Sequence, residues 1–382
     1  MTLTPLPVDA ALDAYAAQVD ELLRGWHDQQ PWAVEIFRTK HPRFLDPTIK
    51  WLPKRLSEAD ERAMAIIAAD AQLALARAYD FRDWPSLTAH VSAVVDPSSE
   101  IARFERAIDA VIASDVETLS AMLAAHPTLV HARSQRITCF DPPVHGATLV
   151  HYLAANGVEN FRQRSAANAP DVARLVLEAG ADPNALATMY GGQCTALSLL
   201  VSSTPPANAG VQVALIDVLV DFGASVEHRG LGSWSSPLIT ALVFGYPDAA
   251  EALVRRGARV ETLAAAAGLG REELTLAMLP QATALDRHRA FALATQGGHV
   301  EIVRALLDAG EDPNRRQPDG MHSHATPLHH AALAGHEALV RLLVERGARL
   351  DITDTIHEGT PLGWAEHGGH AGIAEFLRSQ LA

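Results

Sequence analysis

Ala325-Thr326-Pro327-Leu328-His329-His330-Ala331-Ala332-Leu333-Ala334-Gly335-His336 decides the fold, together with the run that follows it, Glu337-Ala338-Leu339-Val340-Arg341-Leu342-Leu343-Val344-Glu345-Arg346-Gly347-Ala348. Thr326 and Pro327 have the chemistry of a helix start: a hydroxyl for the free amide groups and a ring that pre-sets the first turn. Gly335 is placed to end that helix. Leu339, Val340, Leu342 and Leu343 give the next one an apolar stripe, and Gly347 suits a left-handed stop. His329 is placed to hydrogen-bond to the hairpin of a neighbouring unit. A helix pair this short cannot bury its own apolar face, so it requires similar pairs on either side.

Working outward, such pairs recur. A first runs through Ile101–Ala124. A second opens at Thr148-Leu149-Val150-His151 and closes at Gly180-Ala181-Asp182, a third opens at Thr195-Ala196-Leu197 and closes at Gly223-Ala224, and a fourth opens at Ser236-Pro237-Leu238 and closes at Gly257-Ala258. A fifth, Glu261–Leu279, has almost no connecting hairpin. The sixth spans Arg289–Asn314, the quoted stretch is the seventh, and the eighth starts at Thr360-Pro361-Leu362-Gly363. The spacing is close to about 33 residues. These motifs resemble the ankyrin repeat over roughly three quarters of the chain. The resemblance implies an all-α ankyrin-repeat solenoid of about eight helix-turn-helix repeats, with short β-hairpin fingers. Inserts at 157–168 and 202–210 are expected between inner and outer helices, on the side away from the fingers, and the finger at 131–147 is long.

Residues 1–97 lack the repeat and divide the chain into an N-terminal helical domain (1–97) and an ankyrin-repeat domain (98–382). Helical signals run through 8–23 and 31–39, then from a cap at Ser57 to about Tyr79, and through a short last helix to about Val94. Ala71-Gln72-Leu73-Ala74-Leu75-Ala76-Arg77-Ala78-Tyr79-Asp80-Phe81-Arg82-Asp83-Trp84-Pro85-Ser86-Leu87 resembles an N-terminal "SWP-type" helical module of many bacterial ankyrin-repeat proteins, which implies a cap for the solenoid. Asp80 stands where that pattern has glycine, so a tighter or shifted turn before Phe81 is expected. The segment Thr148–Arg164, with His151, Tyr152, Asn156, Glu159 and Arg162, is similar to the same family.

Composition narrows the function classes. Acidic residues outnumber basic ones 45 to 31, for a formal charge of −14. That balance argues against nonspecific binding to nucleic acid or anionic membrane. Two cysteines, Cys139 and Cys194, cannot make a disulfide framework. No secretory leader or membrane-spanning run is evident, so a cytoplasmic protein is expected.

Eighteen histidines invite a metal reading. His151 and His329 occupy the repeat's structural position, and His299, His336 and His370 follow helix-ending glycines. That leaves His322-Ser323-His324, which in an extended strand would face one way, with His330 and His367 nearby. His322, His324 and His367 could bind a transition metal, although no carboxylate or cysteine completes the set at a diagnostic spacing. Cys139-Phe140-Asp141-Pro142-Pro143-Val144-His145 places a thiol, the Asp141 carboxylate and an imidazole in one loop, which fits a proline-stiffened binding loop better than a nucleophile. His145, Tyr190 and Trp234 come from successive fingers and would form an aromatic and polar strip, to which the last repeat adds Trp364. The expected function is a noncatalytic scaffold binding a protein or peptide on its concave face, with no cofactor. The alternative is a small-molecule binder or enzyme using the same groove, with or without histidine-held metal.

Overall fold

The computed structural model describes residues 4–157, 159–227, 230–232 and 236–381. Among the described residues the fold is all-α but for one small sheet, and the helices recur as eight successive pairs after residue 98. Among the described residues no helix is long and apolar enough to cross a membrane. By contact density the chain forms two compact units, residues 1–225 with 229–234, and residues 226–228 with 235–382.

The first unit begins with helices Leu12–His27, Pro31–Lys40, Glu58–Ala63, Ala68–Ala78 and Trp84–Val94. Their apolar stripes meet in a core that includes Leu22, Trp26, Phe37, Phe44, Leu75 and Leu87. Trp26 packs edge-on against Phe37 and Phe44, with centroids 4.9 and 5.4 Å apart. The single helix expected from Ser57 to Tyr79 is two. Ser57 caps the first by accepting from the Asp60 amide. The backbone is extended at Met64 and Ile67, Ile66 is buried in the core, and the Asp70 carboxylate accepts from the Ile67 amide to start the second.

Asp80 does not disturb the turn before Phe81. It adopts φ 60°, the left-handed conformation glycine would supply, which aspartate tolerates better than most residues. Its carboxylate accepts from the backbone and side-chain amides of Asn160 at 2.6 and 3.0 Å.

Three repeats complete this unit: Glu100–Ala113 with Val116–Ala125, Leu149–Tyr152 with Ala169–Glu178, and Ala196–Leu200 with Gln212–Asp221. The fingers contribute an antiparallel sheet of order β1-β2-β3, formed by β1 (Ala187–Met189), β2 (Gly192–Cys194) and β3 (Leu231–Gly232). A Cβ at Gly230 would collide with the Gln193 carbonyl, so the approach to β2 requires glycine there.

The second unit holds the pairs Pro237–Val243/Pro247–Arg255, Leu263–Gly268/Glu272–Met278, Ala284–Gln296/Val300–Asp308, Pro327–Leu333/Glu337–Glu345 and Pro361–His367/Ala371–Leu381. Leu328, Ala331, Val340 and Leu343 of the seventh repeat are fully buried against their neighbours' Phe291, Val303, Leu306 and Ile373. Truncating such a leucine to alanine costs about 2–5 kcal/mol.

The structural histidines stitch consecutive repeats. His299, His336 and His370 donate through Nε2 to the carbonyls of Gly268, Gln296 and Leu333 at 3.0, 2.9 and 2.9 Å. His151 and His329 reach the next finger at Cys194 and Gly359, 3.3 and 3.1 Å away. The Thr326 hydroxyl and amide both donate to His329 Nδ1, at 2.7 and 3.2 Å, which fixes that ring's tautomer.

Candidate functional site

In the second unit, the finger before the seventh repeat gathers rings from four elements. His322 lies 6.2 Å from His324 and 5.7 Å from His330, measured between ring centroids. Trp364 stands 5.7 Å from His324, 5.4 Å from His330 and 5.2 Å from His329. Phe244, half exposed, closes the group edge-on to His322 at 5.9 Å. The segment is a turn and not the extended strand expected for an alternating pair, because His322 takes φ 61°.

Each ring has a reason for its position. His322 Nε2 donates to the Val243 carbonyl at 3.0 Å, so that nitrogen carries a proton and offers no lone pair. Trp364 is pinned by Asp354, whose Oδ2 accepts from the indole N–H at 3.0 Å. The same carboxylate accepts from the amides of Ile356, His357 and Gly359. Burial would raise the Asp354 pKa, but these hydrogen bonds prevail and hold it at about 2. His330 is buried, with its Nε2 enclosed and without a hydrogen-bond partner. Burial, then the neighbouring imidazoles of His322 and His324, push its pKa down to about 3. His324 is lowered by burial and then by the His322 and His357 imidazoles, against the opposing Asp354 carboxylate. His324 and His330 are therefore neutral at physiological pH, in an aromatic shelf with an unsatisfied buried nitrogen at His330.

His367 is exposed and has no ring contact with this group. Among the described residues no three His, Cys, Asp or Glu side chains are disposed to hold a metal ion. Phe244 and Asp354 were missed by sequence reasoning, though each leaves a trace. Aligned on the helix-ending glycines, Phe244 falls where Ala334, Gly297 and Gly368 are small. Asp354 precedes Gly359 by five residues, as in a side-chain-closed turn.

Of the strip expected in the first unit, two of the three members fall among the described residues. His145 is buried, with Nε2 3.0 Å from Glu159, and Trp234 lies outside the described residues. Tyr190 sits on the β1–β2 turn, its hydroxyl donating to Gly157 O at 2.7 Å. Asp141 is exposed on the finger loop. Cys139 does not have the lowered pKa a nucleophile needs; burial in its surroundings and the Asp80 carboxylate push it up.

The insert at 157–168 lies between the inner and outer helices as expected, but it meets the finger side, where Glu159 stands 3.7 Å from Arg136 and 3.0 Å from His145. Arg162 Nη2 lies 2.6 Å from Glu105 Oε2, and its Nη1 lies 2.8 Å from Glu159 Oε2. Arg136, from the finger, lies 3.2 Å from Glu105. The Tyr152 hydroxyl donates to Glu159 at 2.6 Å. Burial alone would raise Glu105, yet Arg136 and then Arg162 hold it at about 2. Glu159 is depressed by the same two arginines. The adjoining cavity of about 20 Å³ has room for roughly one water, so this network is architecture and not a substrate site.

Comparison with known proteins accords with this geometry. The family model "Ankyrin repeats (3 copies)" matches residues 291–381. Cyclin-dependent kinase inhibitor 2A of Monodelphis domestica is 33% identical over 122 residues, covering 31% of this chain and 69% of that protein. Palmitoyltransferase Hip14 of Drosophila melanogaster is 38% identical over 84 residues, 22% of this chain and 13% of that one. Ankyrin repeat and KH domain-containing protein mask-1 of Caenorhabditis elegans is 29% identical over 226 residues, 56% of this chain and 8% of that one. The chain thus spans only a small part of the two longer relatives. It belongs to the ankyrin-repeat proteins.

Proposed function

We propose that this chain is a noncatalytic ankyrin-repeat scaffold that recognises a protein or peptide through the finger and inner-helix side of its second unit. The observation that carries the reading is the ring shelf of His324, His330 and Trp364 beside half-exposed Phe244, with His330 Nε2 buried and unpartnered. Recognition surfaces concentrate their energy in such aromatic anchors. A buried polar atom left unsatisfied costs about 1–3 kcal/mol, which a partner's polar group can recover.

The same proposal keeps residues 1–97 as a helical cap of the bacterial type that the sequence resembles, set before an ankyrin-repeat domain at 98–382. It also keeps a cytoplasmic setting, in accord with Cys139 and Cys194 both being free thiols. The test is to pan a random peptide library against the full chain. Enriched peptides should lose retention on Phe244→Ala and Trp364→Ala variants; peptides retained equally by both would refute the assignment.

A further inference from the structure

Among the described residues three rings pack on His330: His322, His324 and Trp364, with centroids 5.7, 6.3 and 5.4 Å away. Two of them are held. His322 donates through Nε2 to the Val243 carbonyl, and Trp364 donates its indole N–H to Asp354. The half-buried His324 ring makes no hydrogen bond among the described residues, and it lies 5.7 Å from Trp364. It is therefore the ring that can turn outward without breaking a bond.

His330, next to it, has an acceptor to offer. The residue is 8% exposed, its ring bonds to the His322 backbone carbonyl, and its Nε2 has no partner. Nδ1 thus carries the proton and Nε2 keeps a lone pair, which only a donor can satisfy.

The place His324 occupies favours positive charge. The Asp354 carboxylate acts on that imidazole to raise its pKa, and burial with the His322 and His357 imidazoles outweighs it. Asp354 itself makes no ion pair among the described residues; it accepts from three amides and the indole. Arg316, whose charge reaches His329, donates to the Thr353 carbonyl at 3.1 Å. The fingers at 312–325 and 349–359 carry five acidic residues against three arginines, and the whole second unit nineteen against thirteen. A positively charged partner is attracted on both scales.

Shape and hydration choose between cations. The seat holds a flat ring beside an indole. A guanidinium is flat, stacks on aromatic faces, is weakly hydrated and offers several donors at once, whereas an ammonium is compact and strongly hydrated. Unlike an imidazole, a guanidinium keeps its charge where burial works against it.

We propose that the partner of the second unit presents an arginine side chain that turns His324 outward and takes its place, the guanidinium flat against Trp364 and donating to His330 Nε2. This rests on the reading of the ring shelf as a peptide-binding surface and names the group that the shelf receives.

Three libraries of heptapeptides, random but for a central arginine, lysine or glutamine, are passed over the immobilised full chain. The arginine library should be retained about tenfold better than either of the others, and better still on His324→Ala, in which the place is already vacant. Trp364→Leu removes the stacking surface and His330→Leu the acceptor. Each should abolish the preference, so a variant that fails to fold leaves the other, and melting temperatures show which ones fold.

Equal retention of the three libraries by the wild type, lost in Trp364→Leu, would overturn the arginine assignment and leave peptide recognition standing. A preference for lysine, or an arginine preference that His324→Ala does not strengthen, would overturn it too. No retention, or retention unaffected by all three variants, would refute the shelf as a binding surface and the proposal with it.

Discussion

His322 Nε2 donates to the Val243 carbonyl at 3.0 Å across 79 residues of sequence. The same carbonyl accepts from Gln296 Nε2 at 2.7 Å. Val243 holds the register that Gly268, Gln296 and Leu333 hold in their own repeats, where a histidine caps each carbonyl. The next repeat carries Arg271 in the histidine's place, and His322 and Gln296 together supply the missing donor.

Their redundancy predicts non-additive stability. His322→Ala or Gln296→Ala alone leaves the carbonyl one donor and should cost about 0.5–1.5 kcal/mol. The double variant leaves it none and should cost more than the sum, which a double-mutant cycle in urea measures.

The buried charge network of the first unit predicts a larger loss. Glu159→Ala leaves two buried arginines, Arg162 and Arg136, sharing the one buried carboxylate of Glu105 and should destabilise the chain by about 3–5 kcal/mol. The pH dependence follows from the depressed carboxyls. Glu105 titrates at about 2 in the fold, below its ordinary value of 4.5. Its stabilisation is present above the ordinary value and is lost as pH falls from there through about 2. Thermal melts between pH 5 and pH 2 should show that decline, and Glu105→Gln should flatten it.

Asp80 separates backbone from side-chain effects. Asp80→Gly and Asp80→Ala both lose the Asn160 bonds, but only alanine is strained at φ 60°. Alanine should therefore be the less stable by about 1 kcal/mol in chemical denaturation. Burial raises the Asp80 pKa to about 6, so its contribution is fullest below the ordinary value of 3.8 and wanes as pH rises through 6.

How far the sequence is legible follows from range. The helix pairs, the structural histidines and the helix-ending glycines all act within a repeat or on the next one, and their spacing reveals them. The Glu105–Arg136–Arg162–Glu159 network joins residues up to 57 apart through a finger and an insert that break the repeat, so no periodicity announces it. His322-Ser323-His324 shows the opposite failure. Alternation predicts two rings facing one way, but a left-handed turn at His322 spends one nitrogen on Val243. The ring shelf was half legible: His322, His324 and Trp364 stand out by type, whereas Phe244 and Asp354 matter only through where the fold puts them.

The ring shelf is the central claim, and His330→Leu tests it most directly. Leucine removes the unsatisfied Nε2 and keeps the volume near that of the imidazole. Unfolding midpoint and peptide affinity are measured together on the full chain, using a peptide enriched on the wild type. The account predicts equal or higher stability, with affinity reduced about tenfold. Lower stability with unchanged affinity would contradict it.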